Sequence, residues 1–518
     1  MASKILFDTR LNAVPTTDTV NEAGGKAYKF PPKHALAQYA ATGCLSDTYY
    51  ADAESQLAQI MHLALLVPED FLARVAVYSR EERHMKDMPA LLTALLHKSH
   101  YFEPVFERII NDGKMLRNFV QIIRSGAIGR KSFGSKLKKA IRKWLAKRTP
   151  KQIFKQSSGS EPSFGDIIKM IHPKPQGAMD RSLFAYLIGK KLDAEAKEAL
   201  PQIVKDYEQF KAGELMLPDL PFQFLYSQVK TQLQWKALAL QTSWHGARMN
   251  LNLFARHGLM DDPEVVAYLA EFLSEPGIIS TSKVFPYQIL MTLKAIPGVP
   301  DKIRKALEDA LELATQNVPT LPGQVVVCPD VSGSMSSSIT GNRPGARSAV
   351  RCVDVAALIA CSILRKNPDA CVLPFQNQTI EFQPNPRDTV ATNAKMLAER
   401  CGGGTRCSAP LGSLILAANT GRPLPDVIIY ISDNQSWADF RRDDHTQAAV
   451  LWREILRRKP SAKLVLIDLQ PYTSTQLPDS PNTLNIGGFS DEVFEIVKQW
   501  LDGSDPAHWV SVIERIEI

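Results

Sequence analysis

Residues Val325–Ser338 read VVVCPDVSGSMSSS. Three valines and Cys328 make the apolar run of a buried strand, and the run stops at Asp330. Ser332 and Ser334 follow, alternating with Val331 and Gly333. One carboxylate and two hydroxyls at two-residue spacing are hard oxygen donors, the kind that a small, hard cation such as Mg²⁺ takes. Alone, the stretch reads equally well as a polar turn between strand and helix. Its surroundings decide.

Downstream, strands and helices alternate. QVVVCPD, ACVLPFQ, TIEFQ, DVIIYISD and KLVLIDL read as strands, and SAVRCVDVAALIACSILRK, NAKMLAERC, SAPLGSLILAAN, TQAAVLWREILRR and SDEVFEIVKQWL as helices. Near-continuous apolar strands between helices predict an α/β, doubly wound, mostly parallel sheet covered on both faces. In such sheets ligands sit at the carboxyl ends of strands, at a topological switch point. Asp330 ends one strand and Asp433 another. Between them CGGGTRC (401–407) presents Thr405 on a turn that its glycines permit.

Upstream the pattern is different. From about Pro32 to Val318, segments such as AESQLAQIMHLALL, EDFLARVAVYSREE, MPALLTALLHKS, YFEPVFERIIND and GKMLRNFVQIIRS place apolar residues three and four apart, with Gly, Pro or Asp between segments. Helices of this length joined by short turns predict stacked pairs, an all-α solenoid of HEAT-like repeats; an irregular bundle is the alternative, since no exact repeat is present. NEAGGKAY (21–28) has no helical period and reads as an ordered arm or loop. The two prolines of NVPTLPG mark a boundary, giving a helical domain over 1–320 and an α/β domain over 321–518.

The net charge of +7 is unevenly spread. Residues 1–320 carry 42 Lys+Arg against 33 Asp+Glu, and 321–518 carry 19 against 21. Between Gly113 and Lys155 there are fourteen basic residues and no acidic one, which asks for an anionic partner. SKLKKAIRKWLAK sorts into an apolar stripe of Leu137, Ala140, Ile141, Trp144 and Leu145, with Lys136, Lys139, Arg142, Lys143 and Lys147 facing outward and Lys138 beside them. Phosphate is the commonest partner of such a face, and RNA fits better than DNA because no zinc finger, basic zipper or recognition helix is evident. The alternative is a solvated face. Seven cysteines without paired metal spacing read as free thiols of a reducing cytoplasm. The short, mixed start is no secretory signal, and no apolar run reaches the ~18 residues of a membrane span, so no membrane is expected.

Two resemblances follow from these residues. Asp330, Ser332, Ser334, Thr405 and Asp433 match, in order and type, the metal-ion-dependent adhesion site of von Willebrand factor A domains. This implies that the three hydroxyls contact a divalent cation, Mg²⁺ first, and that the aspartates hold it directly or through water. Asn434 replaces the glycine often seen next. NEAGGKAY, KLKKAIRKWL, DIIKMIHPKP (166–175), FPYQILMTLKA, VVVCPDVSGSM and ISDNQSW together resemble the Ro RNA-binding proteins, whose helical half is the TROVE module. The resemblance implies a ring of helical repeats and a small noncoding Y-like RNA on the basic outer surface. It also implies single-stranded ends of misfolded RNA in a central hole, and an exoribonuclease as a partner of a monomeric ribonucleoprotein. His172 matches an RNA-contacting histidine and Lys155 a basic position before it; Gly159 stands where a second basic residue is expected. No nucleophile–base pair or nuclease carboxylate cluster appears in the helical half, so no enzyme is expected. The rival reading is a protein adaptor whose A domain docks an acidic residue on the metal.

Overall fold

The computed structural model describes residues 14–43, 45–214, 216–281, 284, 286–296, 298–315, 318–341, 350–385, 387–439, 444–489, 491–503 and 508–518. Cys44 lies outside them. The chain forms two compact units, one taking in the described residues of Pro68–Lys283, Ala295–Ala310 and Glu517–Ile518, the other those up to Val67, of Val284–Lys294 and of Leu311–Ile516.

The first unit is helical. Helices Glu69–Glu81, Asp87–Leu95, Phe102–Ile109 and Gly113–Ser125 pack against their chain neighbours. Apolar residues at helical spacing close that core, where Phe106 and Phe119 meet edge to face with ring centroids 5.1 Å apart. Asp112 caps the last of these helices, accepting from the Met115 amide at 2.8 Å, and Gly126 ends it at φ 82°. The basic stretch is the helix Ser135–Ala146, held down by buried Leu137, Ile141, Trp144 and Leu145, with the Trp144 indole donating to the Ile110 carbonyl.

The other unit contains a five-stranded parallel sheet. Strands β1 (Thr19–Val20) and β2 (Lys26–Lys29) come first; β3 (Val325–Pro329), β4 (Cys371–Val372), β5 (Val427–Ser432), β6 (Lys463–Asp468), β7 (Ser474–Thr475) and β8 (Thr483–Gly487) follow. The sheet runs β4-β3-β5-β6-β8, with Val327 opposite Ile429 and Ile429 opposite Val465. β3 and β5 are fully buried, as their unbroken apolar runs require. Chain order reverses between them, so the switch point lies where Asp330 and Asp433 stand.

Two strand expectations need correction, and one strand was not expected. ACVLPFQ is a strand only over Cys371–Val372, and TIEFQ is not a strand. Pro374 offers no amide to a ladder, and beyond this edge Thr379 keeps a single bridge to Phe375. TLNIG, which the turn-rich letters around it hide, is the strand β8. NEAGGKAY is an arm that enters a second, antiparallel sheet β1-β2-β7, with Tyr28 opposite Thr475. Asn21 makes its turn by accepting from the Gly25 amide at 2.7 Å, and donates to the Ser436 carbonyl at 2.7 Å. A Cβ on Gly25 would lie 1.9 Å from that carbonyl oxygen, so only glycine fits.

Candidate metal centre and nucleic-acid surface

The five sequence-predicted metal residues are brought together at the switch point, and all are buried. The Asp330 amide donates to the Ile431 carbonyl at 2.9 Å, which carries the β3–β5 ladder one residue past the strand. Asp330 then accepts from the Ser332 amide at 2.8 Å and from the Ser432 hydroxyl at 2.6 Å. The hydroxyls of Ser332 and Ser334 are 3.3 Å apart. The glycine loop is pinned to the serine loop by the Gly333 amide, 3.0 Å from the Gly403 carbonyl. Gly403 sits at φ 75°, and a Cβ on Gly404 would fall 2.7 Å from the Trp437 ring. Only glycines let this loop deliver Thr405.

Burial, then the neighbouring Asp433, pushes the Asp330 carboxyl up to about 7. Burial raises Asp433 as well. Two buried carboxylates that repel each other, beside three hydroxyls, form an all-oxygen donor set suited to a hard divalent cation. Among the described residues no group of three or more His, Cys, Asp and Glu offers a softer site. Asn434 adopts φ 60°, which asparagine tolerates, and its amide turns away to donate to the Thr475 hydroxyl at 3.0 Å. Periodicity gave no sign of two tyrosines here. Tyr50, just before the helix Ala53–Leu66, has its phenol raised by burial first and then by Asp433, and Ser334 is a neighbour of its hydroxyl. Tyr472 supports it, the ring centroids being 6.0 Å apart.

In the helical unit, Lys139, Arg142, Lys143 and His172 line one cavity of about 470 Å³, together with Lys174, Asp180 and Phe184. The helix Phe164–Ile171 ends at His172, which takes φ 49° and is exposed. Arg142 donates to the Ile171 carbonyl at 2.7 Å and so fixes the turn that carries His172. Lys139 and Lys138 have no ion pair among the described residues.

Other basic candidates are less available than their letters imply. Lys136 turns inward, its ammonium 2.7 Å from the Ser99 carbonyl and over the Phe102 ring. Glu107 takes both Lys143 and Lys147, the latter at 2.5 Å. Asp219 takes Lys155 at 2.5 Å and Lys151 at 3.2 Å. The expectation of a face without carboxylates is corrected here, because the fold supplies them from outside the basic segment. Arg148, stacked 3.4 Å from the Trp144 ring centroid, and Lys174 were not singled out; the interleaved Lys of HPKP is a signal that could have found the latter.

A doubly wound sheet with Asp, Ser, Ser, Thr and Asp at its switch point is a von Willebrand factor A-type domain, carried here on a chain that also folds helical pairs. Residues 324–501 match the family described as the Ro60 vWA domain. The chain is 25% identical to the RNA-binding protein RO60 of Deinococcus radiodurans over 520 aligned residues, 90% of this chain and 92% of the relative. Its fold is like that of the crystal structure of the Deinococcus radiodurans RO (RSR) protein, with a TM-score of 0.62, 19% identity, and coverage of 91% of this chain and 100% of that one. The likeness to Ro proteins thus spans the helical half as well as the A domain.

Proposed function

We propose that this chain is a non-enzymatic RNA-binding scaffold of the Ro type, working in the cytoplasm as the single protein copy of a ribonucleoprotein. The observation that carries the reading is the cavity lined by Lys139, Arg142, Lys143 and His172 together with apolar Leu145, Ile153 and Phe184. Cations able to neutralise phosphate, an imidazole and an apolar surface for a base are what a structured RNA requires. The relative named as an RNA-binding protein supports it. The ligand is a small noncoding, Y-like RNA; single-stranded ends of misfolded RNA are a second class, with an exoribonuclease as the partner that cuts them. In the A domain, Asp330, Ser332, Ser334, Thr405 and Asp433 would hold Mg²⁺, whose charge would offset the repulsion of the two buried carboxylates.

Sequencing of RNA that copurifies with the full chain tests the reading. Enrichment of short structured noncoding RNA is expected. A preparation free of nucleic acid that captures an acidic protein only in the presence of Mg²⁺ would favour the adaptor reading instead.

A further inference from the structure

Gly159 follows the helix Pro150–Gln156 and sits at φ 108°, which L side chains rarely adopt. A Cβ there would lie 1.3 Å from Nη1 and 2.3 Å from Cζ of Arg117. The space that a side chain at 159 would take is therefore filled by a guanidinium reaching across from the helix Gly113–Ser125. The two elements touch directly, since a Cβ on Gly113, one turn before Arg117, would lie 2.2 Å from the Gln156 carbonyl oxygen.

Arg117 is only partly buried, yet its Nε is fully buried without an acceptor. Among the described residues its side chain has no hydrogen bond or ion pair. Burial lowers its pKa, and the carboxylate acting against that is Asp112. Asp112 is already engaged, 3.0 Å from Arg80. With Nε buried, the two terminal nitrogens of this partly exposed guanidinium are the donors left for a ligand, and a phosphate can accept from both at once. The surrounding excess of cation from Gly113 to Lys155 selects an anion of high charge density.

We propose that Arg117 is a phosphate-binding residue of the RNA surface. The inference rests on the RNA-binding reading above.

The test is filter binding of a structured noncoding RNA to the full chain at several salt concentrations, with melting curves alongside. Arg117→Gln should weaken binding about tenfold, and lower the salt slope by about 0.7 to 0.9. Arg117→Lys should restore the slope but not the affinity. Gly159→Ala keeps every charge but evicts the guanidinium, so it too should weaken binding. Wild-type affinity and slope in a folded Arg117→Gln protein would overturn the proposal. If that variant does not fold, wild-type affinity in Arg117→Lys overturns it. Failure of the wild-type protein to bind RNA overturns the RNA reading and this inference together, whereas binding that Lys139→Glu weakens and Arg117→Gln does not overturns this inference alone.

Discussion

Lys147 donates to Glu107 across 2.5 Å, and Lys143, one turn before it, closes on the same carboxylate. One acid thus restrains two cations of the basic helix. Exposed pairs of this kind contribute little to stability, roughly 0 to 1 kcal/mol. Glu107→Gln should therefore leave the melting temperature near wild type while releasing both lysines. Structured RNA should bind several-fold more tightly, with a steeper salt slope. Unchanged affinity at low salt would mean that these lysines do not meet phosphate.

Lys139 and His172 line the same cavity and should fail differently. Lys139→Glu should reduce the salt slope by about 0.7 to 0.9, the loss of one phosphate contact. His172→Ser should lower affinity while the slope barely moves, because little charge is lost. Arg142 is left intact in this comparison, since its bond to the Ile171 carbonyl holds the turn carrying His172. A slope that falls equally in both variants would contradict the assignment.

The buried pair of Asp330 and Asp433 predicts a pH dependence of stability. Burial and Asp433 push Asp330 up to about 7, above its ordinary value of 3.8. Between those values the metal-free fold keeps a proton that the unfolded chain releases, so stability falls as pH rises through that window. Asp330→Asn should flatten the trend. Mg²⁺ or Mn²⁺ should stabilise the wild type more at about pH 8 than at about pH 5, because the cation competes with that proton. Calorimetry at the two pH values, on wild type and Asp330→Asn, reads it. Equal cation stabilisation in both proteins would exclude Asp330 as a ligand.

Asp354 is buried and paired to Lys294 at 2.6 Å and Arg351 at 2.9 Å. Burial alone would raise its carboxyl, but Arg351 and then Lys294 more than reverse this and hold it below the usual range. Asp354→Ala leaves two cations facing each other, and should cost on the order of 3 to 5 kcal/mol. The contribution is present at neutral pH and is lost as pH falls through the lowered pKa. Urea melts near neutrality and at about pH 3 should therefore show a smaller mutational loss in acid. An equal loss at both would place the effect in packing instead of charge.

What the sequence revealed depended on range. The run ending at Asp330 and the run ending at Asp433 are local signals of parallel strands, so the switch point and all five oxygen donors were legible. The stripe of Leu137, Ile141, Trp144 and Leu145 was equally plain. β8 was not, because buried Asn485 interrupts its apolar letters; its amide is answered by the Leu477 carbonyl at 2.9 Å and Asp479 at 2.9 Å. Nor could composition show that Glu107 and Asp219 would meet the lysines, or that Arg117 would occupy the space beside Gly159. Those are encounters between residues distant in the chain, which neither period nor spacing records.

The pairing of Tyr28 with Thr475 sets an order of events during synthesis. The two are 447 residues apart (475 − 28), so at 5 to 20 residues per second the ribosome needs roughly 20 to 90 s to supply the second. Through that interval β2 has no strand to join, and Gln38 waits for Asp468, which it finally meets at 2.7 Å. The helices of Pro68–Lys283, built from contacts near in sequence, can fold while the arm is still unpartnered. A nascent chain halted before β6 would therefore carry a folded helical body and a protease-sensitive N-terminal arm, and protection of that arm would report completion of the A domain.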